Sequence, residues 1–211
     1  MDNVEYIISF LNGKVSGDLF FERLESDDSL KETLNALLPK TRDITDAAWK
    51  GIDYKMSLEK QGFDVFKVIQ YYGGTHSIEG KFGAYALISQ IAQSAGFDVP
   101  SENPYDAMFD FVLAAVPSYV GGKEASIFIE NLFRQLPEDL SDAKRKSLFK
   151  KMIKDSFPFE GKKPSWAQEP EWPVNQNGPL TFVSQRDDGD ETTYIFKDSK
   201  TGQEVEVKQL W

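Results

Sequence analysis

The sequence predicts an α+β protein, with a helical body over residues 1–157 and a linker and small antiparallel three-stranded sheet over 158–211. Apolar residues recur at steps of three and four through most of the body, the spacing of helices that bury one face. After Pro179 the pattern changes to three short β-favouring runs, Leu180-Thr181-Phe182-Val183, Tyr194-Ile195-Phe196 and Val205-Glu206-Val207. Asp187-Asp188-Gly189-Asp190 and Asp198-Ser199-Lys200-Thr201-Gly202 separate them, and such runs broken by Asp and Gly turns specify a meander. A sheet this small needs a cover. Body and tail are therefore expected to fold as one unit, joined through Trp166, Trp172, Phe182, Tyr194 or Phe196.

The body is expected to hold six to eight helices. The first starts at Asp2, where Glu5 completes a capping box, and carries Val4, Ile7, Ile8 and Leu11 before Gly13 at C′. Ser16 caps a second helix with Leu19, Phe20, Phe21 and Leu24. Asp27 or Asp28 opens a third, with Leu30, Leu34, Leu37 and Leu38 running to Pro39. Ile44 to Ile52 reads as a short helix around Trp49. Phe63, Val65, Phe66, Val68, Ile69 and Tyr72 fit either a helix or a buried strand, ended by Gly73-Gly74. A clearer helix carries Ile78, Phe82, Tyr85, Ile88, Ala92 and Ala95 up to Gly96. Asn103-Pro104 is an N-cap and N1 pair before Tyr105, Met108, Phe109, Phe111, Val112, Leu113, Ala115 and Val116. That helix is apolar nearly all round, so it is expected at the centre of a bundle. Ala125, Phe128, Ile129, Leu132 and Phe133 make the next, stopped by Pro137. Ser141 caps the last, with Leu148, Phe149, Met152 and Ile153 inward and Lys144, Arg145, Lys146, Lys150, Lys151 and Lys154 outward.

Composition narrows the chemistry. The 211 residues contain no Cys and one His, which removes disulfides, thiolate nucleophiles and Cys-based metal sites. With 24 basic and 34 acidic side chains the net charge is −10. That field repels nucleic acid and anionic membranes and favours cationic partners, although the same sign also serves solubility alone. The opening Met1-Asp2-Asn3-Val4-Glu5 has acids and no base, its apolar run stops at Leu11, and no other stretch is long enough to span a bilayer. A cytoplasmic protein is expected, with neither membrane nor nucleic acid as partner.

Few groups in the chain could carry chemistry. His76 precedes a helix and would need a partner such as Glu79 to act as a base; a capping or surface His is the plainer reading. Asp187, Asp188, Asp190 and Glu191 form the densest acidic cluster. They lack calcium-loop spacing and suit a hairpin tip without metal. Asp106 and Asp110 stand at helical spacing, as an acid–base pair or as the solvent edge of a helix. There is no G-x-G-x-x-G, P-loop or G-x-S-x-G pattern. No catalytic residue, metal or cofactor is assigned.

The tail also carries Pro164-x-Trp166 with Gln168, Glu171-Trp172-Pro173, Gly178-Pro179-Leu180, Gln185, Asp198, Thr201-Gly202 and Gln209-x-Trp211. This pattern resembles the C-terminal β segment of bacterial immunity proteins encoded beside polymorphic or contact-dependent toxins. The opening Ile7-Ile8-Ser9-Phe10-Leu11-Asn12-Gly13-Lys14, followed by Phe20 to Leu38, similarly resembles the helical start of several such families. The resemblance implies a protein that binds a cognate toxin domain, often a nuclease with a basic cleft, and blocks its active site. The contact residues nominated here on charge are Asp187, Asp188, Asp190 and Glu191 at the hairpin tip, and Asp18, Glu22 and Glu25 on the acidic N-terminal helices. The rival expectations are a non-catalytic adaptor using the sheet edge as a dock, and a carboxylate-dependent hydrolase.

Overall fold

A computed structural model describes residues 1–38, 64–71 and 74–211. The short helix expected between Ile44 and Ile52, and the ends at Pro39, Phe63, Tyr72 and Gly73, lie outside the described residues. The chain divides into two compact units, Met1–Ala107 and Met108–Trp211.

The first unit is helical: α1 (Asn3–Leu11), α2 (Gly17–Ser26), α3 (Asp28–Ala36), α4 (Val65–Tyr71) and α5 (Ile78–Ser94). Short-range polar groups set the starts of most of these helices. Asp2 and Glu5 complete the capping box of α1, Ser16 caps α2, and the Asp27 carboxylate accepts from Ser29 N and Leu30 N at the start of α3. Asn35 Oδ1 accepts from Val65 N at the start of α4, so α3 positions it; the ambiguous 63–72 stretch is a helix where it is described. Ser77 Oγ caps α5. The core joins Ile7, Phe10, Phe20, Leu24, Leu30, Leu34, Ile69, Leu87 and Ile88. Phe10 and Phe20 stack at 3.9 Å between ring centroids, and Tyr85 meets Phe10 edge-on while its hydroxyl donates to Leu11 O.

The second unit combines α7 (Lys123–Arg134) and α8 (Asp142–Ser156) with the tail sheet; α6 (Asp106–Leu113) spans the division between units. Strands β3 (Thr181–Asp187), β4 (Glu191–Lys197) and β5 (Glu204–Leu210) form the expected antiparallel meander in the order β3-β4-β5. Phe182, Phe196 and Val205 lie opposite one another, and one extra residue bulges β3 between Phe182 and Ser184. A two-stranded ribbon, β1 (Val174–Asn175) with β2 (Gly178–Pro179), was not expected; each strand has two residues, too few to show a period. Phe149, Ile153, Phe157, Trp172, Leu180, Phe182, Tyr194 and Phe196 share one core, so the sheet packs on the helices as expected. Trp172 lies at its centre, edge-on to Phe157 and Phe196, with its indole N–H donating to Leu180 O.

One expectation fails. No residue of α6 is buried, although its sequence is apolar nearly all round. Phe111 and Val112 pack from the side against the second core, and Leu113 is exposed. Hydrophobicity on every face allows central burial but does not enforce it, because much of any folded surface is apolar.

Candidate functional site

Helix α2 carries the first set of nominated residues. Phe20, Phe21 and Leu24 are buried, which fixes the helix and turns Asp18, Glu22 and Glu25 to its other side, since the spacing of four and three places them on one face. They are not equivalent. Asp18 is 2.9 Å from Nζ of Lys81, whose side chain is buried. Glu25 Oε1 accepts from Thr75 Oγ1 and lies 2.9 Å from His76 Nε2. The Glu22 carboxylate is exposed and makes no ion pair among the described residues.

His76 therefore meets Glu25, not Glu79. The helix is capped by Ser77, and the His76 side chain is 61% exposed. It is a surface histidine tied to a carboxylate that is itself shared with Thr75.

Beside Glu22 runs an open groove of about 480 Å³, bordered by Tyr6, Val15, Leu19, Lys14, Glu22 and Arg23. Tyr6 donates its hydroxyl to Leu19 O, and the Arg23 guanidinium lies 4.3 Å from the Tyr6 ring centroid. Arg23 also bonds Asn3 Oδ1 and Asp27 Oδ2. Ser29 and Arg23, both donating to Asp27, hold its carboxyl below the usual range. Arg23 is thus locked by three partners, whereas Lys14 makes no ion pair among the described residues.

The second nominated set forms the tip of the β3–β4 hairpin. Gly189 adopts φ +91°, a left-handed conformation that Gly adopts without strain, and Asp187 Oδ1 accepts from Gly189 N. Asp188 Oδ2 lies 2.7 Å from Arg186 Nε, and Glu191 Oε1 lies 2.9 Å from Lys208 Nζ. Asp188, with Glu206 and Glu191 farther off, raises the Arg186 pKa, and Glu191 raises that of Lys208. Asp190 contributes its backbone carbonyl to Trp211 N. Two of the four carboxylates are therefore neutralised from within the sheet, and a third closes the turn.

The residues that carry the tail resemblance have a structural account that sequence reasoning missed. Gln185 Oε1 accepts from Ser165 N, the Tyr194 hydroxyl donates to Ser165 O, and Trp166 Nε1 donates to Tyr119 O. Gln209 Nε2 donates to Glu169 O, while Gln168 Nε2 donates to Leu210 O. These side chains satisfy a segment without regular secondary structure and fasten it to the sheet. Asp198 is buried: Oδ2 accepts from Asn175 and Asn177 Nδ2, and Oδ1 from the Lys200 and Thr201 amides. Those donors, Asn177 and Asn175 foremost, hold its carboxyl far below the usual range. A polar run of Asn, Gln and Asp reads as loop, and only the spatial pairing shows its purpose.

The remaining candidates stay apart. Asp106 and Asp110 are both exposed, on the solvent edge of α6. Lys144, Lys150, Lys151 and Lys154 lie on the exposed side of α8, while Arg145 turns toward Phe111 and Phe133. The sheet edges proposed for an adaptor are partly occupied: Phe182 bonds Pro158 O and Glu160 N on one side, and Leu210 O takes Gln168 on the other. Among the described residues no group of three carboxylate or imidazole side chains is placed to hold a metal, and no helix is long and apolar enough to cross a membrane. Comparison with protein-family models, with curated proteins and with solved structures finds no match.

Proposed function

We propose that this chain is a non-catalytic binding protein, an immunity factor that neutralises a cognate bacterial toxin domain by covering a basic active-site cleft. The observation that carries the reading is the outer face of α2. Asp18 and Glu22 are exposed, and Glu25 is half-buried, on a helix whose other face is sealed by Phe20, Phe21 and Leu24. Fixed carboxylates on a chain of net charge −10 steer a cationic partner toward the surface and lose little freedom when it arrives. The test is co-expression with the toxin domain encoded next to the gene. Protection of the host cell is expected; killing that proceeds unchanged at equal expression would overturn the reading.

A further inference from the structure

We infer that the contact surface is the α1–α2 groove, and that it takes a protein segment bearing an apolar side chain next to a lysine or arginine. This rests on the binding reading above and names the surface and the chemistry of its partner. Leu19 is 59% exposed, while the other apolar residues of α2, Phe20, Phe21 and Leu24, are buried. Tyr6 and Val15 border the same groove, so an entering apolar group would remove Leu19 from water with an aromatic ring and an aliphatic side chain beside it. Glu22, one helical turn after Leu19, offers a carboxylate with no ion pair among the described residues. Asp18, on the same helix face, is 63% exposed and pairs with Lys81.

Two features favour this surface over the hairpin tip. Two of the four carboxylates at the tip, Asp188 and Glu191, already hold Arg186 and Lys208, and a partner's cation would have to displace them there. The groove wall is also preorganised: Arg23 is held by Asn3, Asp27 and the Tyr6 ring, and Tyr6 is bonded to Leu19 O. Lys14 stands on the groove without an ion pair among the described residues. It repels a cation there and so selects the orientation with the basic residue on Glu22. A second copy of this chain is a poor occupant, because two bodies of net charge −10 repel.

The experiment is calorimetric titration of a catalytically inactive form of the neighbouring toxin domain into wild type, Leu19→Ala, Glu22→Lys and Asp188→Lys, with thermal melts to show that each variant folds. Leu19→Ala and Glu22→Lys are expected to weaken binding about tenfold or more, with melting unchanged, while Asp188→Lys changes affinity less than about threefold. Wild-type affinity in both groove variants, or loss confined to Asp188→Lys, overturns the inference and leaves the binding reading standing. No heat and no complex with wild type overturns the binding reading, and the groove falls with it. Light scattering on the wild type alone covers the remaining occupant: a dimer that Leu19→Ala returns to the 23.9 kDa monomer would assign the groove to a second copy and overturn the proposal.

Discussion

The two units of this chain solve the same problem in opposite ways. In Met1–Ala107 the starts of α1, α2, α3 and α5 are satisfied by neighbours in sequence: Asp2, Ser16, Asp27 and Ser77 each bond an amide within three residues. In Met108–Trp211 the equivalent groups reach far along the chain. Trp166 bonds Tyr119 across 47 positions, and Gln209 bonds Glu169 across 40. Local closure fixes helix ends without calling on remote side chains. Remote closure commits them, and the tail's Trp, Tyr, Gln, Asn and Asp residues are largely consumed in holding its own backbone. The surface carboxylates do not follow this division: Asp18 and Glu25 on α2 and Asp188 and Glu191 at the hairpin tip all have cationic or hydroxyl partners, and Glu22 is exposed with no ion pair among the described residues.

Removing the centre of one core breaks the comparison most severely. Trp172→Ala empties the space between Phe157 and Phe196 and leaves Leu180 O without its indole donor, for a loss of about 3–5 kcal/mol by denaturant melting. Hydrogen exchange is expected to show lost protection in β3–β5 with α1–α3 retained, because the cores are separate. Uniform loss across both units would contradict two cores. Leu34→Ala, at a fully buried site in the first core, is expected to cost about 2–5 kcal/mol with the reverse exchange pattern.

A smaller effect tests the close approach of the tail to the loop before α7. Gly122 has φ +97°, and a Cβ there would lie 3.2 Å from Glu171 Cα, beside the bond from Trp172 N to Gly121 O. Gly122→Ala is therefore expected to cost about 1–3 kcal/mol in a thermal or denaturant melt. A variant as stable as wild type would mean that the strand-like approach is not held as described.

The subtlest prediction concerns pH. Asp198 takes up a proton less readily in the folded chain than in the unfolded one. As pH falls below about 4 the unfolded chain is protonated first, and stability drops toward the lower folded value; above that range its contribution is fully present. Asp198→Asn is expected to melt lower than wild type near neutral pH and to lose part of the acid dependence, as read by melts from pH 6 to 2. An unchanged acid slope would show that the Asn175–Asn177 clasp does not depend on charge.

The same contrast governs what could be read from the sequence. Capping residues and apolar spacing describe the first unit well because helix signals act over three or four positions, and Ser16, Asp27, Gly13 and Gly96 fall where those rules put them. The meander was legible for a similar reason: Phe182, Tyr194 and Phe196 lie within short β-favouring runs closed by Asp and Gly turns. The β1–β2 ribbon was not, since two-residue strands show no period, and neither was the Asp198 clasp, since Asn175 and Asn177 lie far from Asp198 in sequence and such residues also make ordinary loops. Charge alone nominated seven carboxylates, but it could not reveal that Asp188, Glu191, Asp18 and Glu25 already have partners while Glu22, Asp187 and Asp190 have no ion pair among the described residues. Nor could it identify the groove, because the exposure of Leu19 depends on which side of α2 faces α1 and α3.

The most direct test of the central claim is the association rate of the neighbouring toxin domain with this protein as salt is raised from about 0.05 to 0.5 M, a range over which the screening length falls severalfold. Electrostatic capture by α2 predicts a steep fall for wild type and a flatter one for the charge-reversed Glu22→Lys. A rate that is insensitive to salt, or equally steep in the charge-reversed variant, would contradict it.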